Sequence, residues 1–332
     1  MDTSMSEMMQ LPGSLLVAGL VAWLVWQPLK RRAMLDISGR WFVVTGCDSG
    51  IGAGVVKKLV EARASVIAFT FTEDGAKAAL DAGAKLAPCL DITNEAALRE
   101  ACDQVEQACD GHLSGVVHNA GIAQPGFIEF QPIDNYRRTM EVNLFAIINL
   151  TQMLIPHVRA ASGRFVVVTS VDGVVSLPGN APYDASKFAA EGYADALRAE
   201  LSLWNVGVSV INPSTLRTPL VDRFFPSVRD TWEAMDRLDP GGEWKKVWTR
   251  EWLEKYVEQQ SKGLARIAQD PKCAIEDIFH ALAAKRPRMR YLSGKMAKTF
   301  FYALWVMPER WSYAIKKVMV YPKPNIIVRD GE

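Results

Sequence analysis

The 332-residue sequence has no C-x-x-C pair, no H-E-x-x-H and no two histidines four residues apart. Its five cysteines (Cys47, Cys89, Cys102, Cys109, Cys273) are odd in number, and His112, His118, His157 and His280 are scattered. These absences argue against a disulfide framework, a zinc ribbon and any other metal site, and reduced thiols are expected. Charge of one sign is missing too, since 38 basic against 37 acidic side chains leave a net charge of +1. Phosphate binding needs a concentrated basic surface, so a nucleic-acid partner is not expected. There is no internal repeat and no low-complexity segment. What is present is apolar matter: 49 % hydrophobic against 23 % charged residues, enough for a real core and too much for disorder. The length allows one large domain or two modest ones.

The two ends differ from the middle. From Met8 to Leu29 no residue carries a formal charge, and Lys30, Arg31 and Arg32 follow at once. About 18 apolar residues suffice to cross a bilayer, and Trp23 and Trp26 sit near the basic end, where aromatics favour the interface. A cleavable signal peptide is the rival reading. Its first residues should be basic, whereas Asp2 and Glu7 precede this run, so residues 1–35 read as a retained transmembrane anchor. The positive-inside rule then puts the rest of the chain in the cytosol, with the lipid bilayer as a partner; the endoplasmic reticulum or another intracellular membrane is the expected location. At the other end Lys285, Arg286, Arg288, Arg290, Lys295 and Lys298 run without an acid, followed by Phe300, Phe301, Tyr302, Trp305 and Trp311. That pattern suits a membrane surface or, equally, a solvated face beside a core helix.

Between the ends, short apolar runs alternate with longer amphipathic stretches. Strands are expected at 41–45, 65–69, 85–90, 115–118, 164–169 and 207–211. Helices are expected at 51–62, 75–82, 95–109, 133–158 as one long element, and 183–204. Continuous Val/Ile/Phe runs mark strands buried on both faces, hence an α/β fold with a parallel sheet. Residues 219–269, rich in Trp, Arg and Glu, break the rhythm and read as a helical cap.

The first strand ends in Thr45-Gly46-Cys47-Asp48-Ser49-Gly50-Ile51-Gly52, with a helix opening inside the motif. Glycine permits the sharp turn and lets backbone N–H groups approach a pyrophosphate at the helix N-terminus. A glycine turn alone is often only a turn, but its place after strand one favours a dinucleotide. Tyr183 and Lys187 are four apart and share a helix face, where an ammonium lowers a phenol's pKa and makes it a usable proton carrier. Ser170, at the end of the preceding strand, can hydrogen-bond the same substrate oxygen.

Together these motifs resemble the short-chain dehydrogenase/reductase family over roughly Ser38 to Thr218. The match comprises Thr45 to Gly52, Asp91-Ile92 after strand three, Asn119-Ala120-Gly121, Asn143, Ser170, Tyr183, Lys187, and Pro213 through Thr218. Within the family, Gly46 to Gly50 and the Trp-rich cap look like the membrane-associated retinol and hydroxysteroid dehydrogenases, a branch that includes a 3-hydroxybutyrate dehydrogenase. The resemblance implies a single doubly wound Rossmann domain over 36–295, with the cap at 219–269 and a C-terminal segment at 296–332.

It further implies an oxidoreductase acting on CH–OH groups, with a possible homo-oligomer. Tyr183 is the implied acid/base and Ser170 orients the reacting oxygen. Lys187 lowers the Tyr183 pKa and holds the nicotinamide ribose, while Asn143 positions a water. The implied cofactor-binding set is Thr45, Gly46, Ser49, Gly50, Ile51, Gly52, Thr70, Asp91, Ile92, Asn119, Ala120, Gly121, Tyr183, Lys187, Pro213 and Thr218. His118 replaces the usual Asn and Ser214 the usual Gly. His118 reads as a strand-end histidine satisfied by backbone. At Thr70 there is neither the acid that binds the NAD ribose nor an arginine for the NADP phosphate. Glu73 and Asp74 would repel that phosphate, so NAD is favoured, with NADP not excluded.

The aromatic cap (Phe224, Phe225, Trp232, Trp244, Trp248, Trp252, Tyr256) suits a hydrophobic steroid- or retinoid-like alcohol, or is simple packing. Arg217 and Arg223 leave a short hydroxy acid as the alternative substrate. A non-catalytic membrane-anchored dinucleotide-binding protein is a third reading.

Overall fold

The computed structural model describes residues 33–320 and 322–324. The anchor expected within residues 1–35 therefore lies outside the described residues save for 33–35. Among the described residues no helix is long and apolar enough to cross a membrane.

Six parallel strands form one sheet: β1 (Trp41–Thr45), β2 (Ser65–Phe69), β3 (Leu113–His118), β4 (Arg164–Val168), β5 (Gly207–Pro213) and β6 (Arg290–Ser293), in the order β2-β1-β3-β4-β5-β6. Alternate side chains of β1 enter different cores: Val43 joins one apolar cluster, Phe42 and Val44 the other. That two-sided burial follows from helices on both faces, and it explains why the strands read as continuous apolar runs. Helices α1 (Gly50–Glu61) and α2 (Glu73–Asp81) follow β1 and β2, and α3 (Glu95–Cys109) precedes β3. Next come α4 (Ile133–Met140), α5 (Ala146–Ala160) and α6 (Ala181–Leu201). Because the chain runs outward from β1 to β2 and then returns to β3 on the other side of β1, the strand order reverses between β1 and β3. Ligands of open α/β sheets bind outside the carboxyl ends of strands at that reversal.

Two expectations are corrected. The segment 85–90 is not a strand; it runs beside β2 with isolated parallel bridges Ile67↔Leu86 and Thr70↔Cys89. Pro88 lies in its middle and has no N–H to give, which suits an edge segment and interrupts a ladder. The single helix expected over 133–158 is broken by a π-turn at Glu141–Phe145, and Asn143 sits inside it. One strand, β6, was not anticipated.

Residues 219–267 form α7 (Pro219–Asp222), α8 (Phe224–Glu233), α9 (Met235–Leu238), α10 (Glu243–Val247) and α11 (Arg250–Ile267). Their aromatics pack mostly on one another. Trp252 stacks on Tyr256 at 5.2 Å and meets Trp248 edge-on at 4.7 Å, and the buried cluster takes in Phe127, Phe130, Trp232 and Met235. Indole N–H groups of Trp232, Trp248 and Trp252 donate to Trp248 O, Glu129 Oε2 and Pro322 O, each at 2.7 Å. These side chains are thus chiefly a small core of their own, held by the satisfied indoles, rather than an open pocket lining. Helix α12 (Lys272–Ala283) covers the sheet beside α1, and α13 (Tyr302–Val306) and α14 (Glu309–Met319) close the described chain.

Candidate active site

The turn after β1 is built by close approach. Gly46 and Gly50 take φ of +69° and +58°, and a Cβ on Gly52 would lie 2.1 Å from Gly46 O. The Thr45 hydroxyl accepts from Asn119 N (3.1 Å) and Ala120 N (3.0 Å), while Asn119 Nδ2 donates to Thr45 O (2.9 Å) and Gly46 O (3.1 Å). The ends of β1 and β3 are thereby locked together beneath the turn. Ser49, exposed, precedes α1 in an extended conformation; its side chain makes no capping bond and the first turn holds no acid. Free N–H groups at a helix N-terminus of this length accept an anion. Thr218 lies over Gly50, within 3.4 Å of where a Cβ would stand, so the segment after Pro213 returns to the same turn.

Asp48 is a residue that the sequence reading passed over. Its carboxylate accepts from Phe71 N (2.9 Å), Thr72 N (2.9 Å) and Thr72 Oγ1 (2.7 Å), placing a negative charge at the carboxyl end of β2. Thr70 is buried there and its hydroxyl turns toward Pro88 O, 3.4 Å away. Asp91 is held by Thr93 Oγ1 (2.7 Å) and by Arg138 (3.1 Å), with Ile92 half-buried beside it.

Asn143 is fully buried. Its Oδ1 accepts from Ile122 N (2.9 Å), and its Nδ2 donates to Ile122 O and Ser186 Oγ, both at 2.9 Å. The π-turn thus ties the loop after Gly121 to α6, a common use of such turns at functional sites. Lys187 Nζ donates to Val168 O (3.0 Å), lies 5.4 Å from the Tyr183 ring centre, and would be 3.5 Å from a Cβ on Gly121. Burial pushes Lys187 down to about 8, with Glu191 and Asp172 acting the other way. Ser170 Oγ accepts from Asp172 N (3.1 Å). Burial and then Asp172 push the Tyr183 phenol up, and the Ser170 hydroxyl beside it acts in the opposite sense. The structure therefore brings Asn143, Ser170, Tyr183 and Lys187 together. In this state burial and a carboxylate, rather than the ammonium, dominate the tyrosine.

His118 is buried, stacks on Phe165 (5.9 Å, 6° between planes), and its Nε2 lies 2.9 Å from Thr151 Oγ1. Its partner is a side chain, where backbone was expected. Burial pushes it down to about 3. Among the described residues no group of three or more His, Cys, Asp or Glu is placed to hold a metal ion. A cavity of about 680 Å³ opens between the other side of α6 and α14, lined by Leu177, Pro178, Asp184, Phe188, Tyr313 and Lys316, and by none of the four clustered residues.

A doubly wound sheet carrying this turn and this tetrad defines a class, and residues 40–228 match the family described as short chain dehydrogenase. The chain belongs to that family. It is 30 % identical to 17-beta-hydroxysteroid dehydrogenase type 6 of Bos taurus over 302 residues, covering 89 % of this chain and 93 % of the other. It is 31 % identical to retinol dehydrogenase 16 of Homo sapiens over 313 residues, covering 92 % and 96 %. A short chain dehydrogenase from Burkholderia cenocepacia, solved in complex with NADP, shares the fold with a TM-score of 0.64 at 22 % identity, covering 87 % and 100 %.

Proposed function

We propose that this chain is a nicotinamide-dependent oxidoreductase that interconverts a hydrophobic alcohol, of steroid or retinoid type, and its carbonyl compound. The observation that carries the reading is the meeting of Ser170, Tyr183, Lys187 and Asn143 beside a glycine turn at the sheet's reversal point. The turn fits a dinucleotide, because Gly46 and Gly52 leave no room for a Cβ, Gly50 takes a positive φ, and the amides of α1 point out uncapped. When bound, that cofactor accepts or supplies the hydride.

The chain's own residues do the rest. The Gly46–Gly52 turn and Ser49 would hold the pyrophosphate, Asp91 and Ile92 the adenine end, Asn119 to Gly121 and Lys187 the ribose, and Pro213 to Thr218 the carboxamide. Ser170 orients the substrate oxygen. Tyr183 gives its phenolic proton to a carbonyl oxygen or takes one from an alcohol. Lys187 supplies the nearby positive charge. The Asn143 side chain is spent on Ile122 and Ser186, so it fixes the distance between the two halves of the site. Asp48 supports NAD over NADP, since its carboxylate stands where a 2′-phosphate would add charge.

Steroid- and retinoid-type substrates are supported by the names of the relatives. The short hydroxy acid is disfavoured by Asp172, an acid beside Ser170, and Arg217 donates to Ala268 O at 3.2 Å instead of awaiting a carboxylate. Exposed Trp305, Trp311 and Tyr313 near Lys316 and Lys317 support a lipid-facing C-terminal end, in keeping with an anchor in residues 1–35. One screen of sterols, retinoids and short hydroxy acids with both dinucleotides tests the reading. Oxidation of a sterol or retinoid with NAD is expected; turnover of hydroxybutyrate alone would overturn it.

A further inference from the structure

Val168, Thr169 and Ser170, at the carboxyl end of β4, are each held by a side chain from another element. Val168 O accepts from Lys187 Nζ (3.0 Å), and Thr169 Oγ1 donates to Glu191 Oε1 (2.6 Å), both partners lying on α6. Ser170 O accepts from Nδ2 of Asn212 on β5 (2.9 Å). The same amide nitrogen reaches Glu191 Oε1 (2.5 Å) and Thr169 Oγ1 (2.9 Å). Asn212 is fully buried, and three oxygens surround its Nδ2. The reverse orientation would set the amide oxygen against a carbonyl and a carboxylate, so the nitrogen must face this junction. Oδ1 is shut away without a donor, and all of the side chain's hydrogen bonding is therefore directed at the end of β4.

Ser170 needs such a hold. β4 ends at Val168, Thr169 N still donates to Ile211 O (2.9 Å), and Ser170 stands beyond. Asp172 N donates to Ser170 Oγ (3.1 Å) and Gly173 N to Ser170 O (3.0 Å), both from the short turn at Val171–Gly173. Those two bonds would travel with the turn if it moved. The turn rests against α6 at Gly173, where a Cβ would stand 3.1 Å from Lys187 O and 3.0 Å from Glu191 Cγ. Asn212, by contrast, projects from a strand whose backbone is paired on both sides, with β4 and with β6.

We propose that Asn212 is a positioning residue: it pins the Ser170 carbonyl to the Glu191 carboxylate and so sets the Ser170 hydroxyl against Tyr183 and Lys187, which share a helix with Glu191. The inference rests on the reading of Ser170 as the group that orients the substrate oxygen. Asn212 acts through that serine and is not itself assigned a contact with substrate or dinucleotide. A hydroxyl displaced by about an ångström leaves room for the substrate but meets its reacting oxygen badly, and such a misplacement costs up to about a hundredfold in rate.

The test is a kinetic cycle in the full chain, with Asn212→Ala, Ser170→Ala and the double variant acting on a substrate from the alcohol panel. Single-turnover rates serve for the slow variants, and calorimetry gives dinucleotide affinity. Asn212→Ala should lower kcat by about tenfold or more, with KM and dinucleotide Kd within about twofold of wild type. In the Ser170→Ala background the same substitution should cost less than about twofold, because the group it positions is gone. Asn212→Leu keeps most of the volume, removes the same hydrogen bonds, and replaces Asn212→Ala in the cycle if that variant does not fold. Equal losses in the two backgrounds mark a merely structural role and overturn the proposal, as does an unchanged kcat in the single variant. Near-normal turnover by Ser170→Ala would instead overturn the reading of Ser170 on which it rests.

Discussion

Glu191 offers a demanding test of how the site is supported. It lies two turns along α6 from Tyr183 and is 6 % exposed. Its Oε1 accepts from Thr169 Oγ1 (2.6 Å) and Asn212 Nδ2 (2.5 Å), and its Oε2 pairs with Arg290. The residue that follows β4, together with β5 and β6, is thus joined through one carboxylate. Glu191→Ala takes the nearest carboxylate from a guanidinium and one acceptor from each of two buried donors, Thr169 Oγ1 keeping Ile211 O (3.0 Å) and Asn212 Nδ2 keeping Ser170 O (2.9 Å). Removing one partner of a buried pair costs about 3–5 kcal/mol. Arg290 keeps some solvent contact and a second carboxylate, Asp195 Oδ2 at 3.6 Å, so the lower end is expected here. In a domain of this size about 3 kcal/mol lowers Tm by roughly 6–12 °C. Glu191→Gln keeps an acceptor but presents an amide to Arg290, and an intermediate loss is expected. Thermal unfolding followed by near-ultraviolet circular dichroism measures both. A Glu191→Ala Tm within about 2 °C of wild type, short of even 1 kcal/mol, would refute the reasoning.

Other consequences are as direct. His118 is held neutral in the fold, its pKa near 3 against 6.5 in its ordinary state. The unfolded chain therefore binds the extra proton between those values. Its contribution is full above pH 6.5 and is lost at up to about 1.4 kcal/mol per pH unit as pH falls toward 3. Urea unfolding from about pH 7 to 4 should show a flatter decline for His118→Asn than for wild type; parallel curves would contradict this. Gly52→Ala puts a methyl group 2.1 Å from Gly46 O and 2.7 Å from Asn119 Nδ2, so dinucleotide Kd, read by calorimetry, should rise more than about tenfold. Asp48→Asn removes the charge at the end of β2 and should narrow the preference for NAD over NADP by about tenfold in kcat/KM. An unchanged preference would remove Asp48 from the account.

The strands β1 and β2 were legible to the residue, because double burial leaves an uninterrupted apolar run with a glycine turn or a polar loop at its end. The segment 85–90 looked the same by composition, and only the missing N–H of Pro88 separates it from a strand. β6 is Arg-Tyr-Leu-Ser, an edge strand whose alternate residues reach the core, and four residues are too few for that alternation to register. Tyr183, Lys187 and Ser170 were singled out by their spacing and place in the chain, and Asn143 by the family resemblance alone. The supports of the site were not legible: Asp48 meets residues 23 and 24 positions away, and Glu191 meets Arg290 99 positions away. Neither helix nor strand periodicity sets the partner of such an acid, which appears only once the chain is folded. Composition left the Trp-rich cap as either a pocket lining or simple packing; indole N–H groups need buried acceptors, and satisfying them puts those rings chiefly in a core of their own.

The central claim is that Tyr183 carries the proton of an alcohol–carbonyl interconversion. Single-turnover kinetics of Tyr183→Phe with an oxidised substrate from the sterol or retinoid panel, alongside dinucleotide affinity for the same protein, tests it most directly. The expected result is a chemical step slowed by at least about a hundredfold with dinucleotide Kd nearly unchanged. A step at near wild-type rate with the cofactor bound would contradict it.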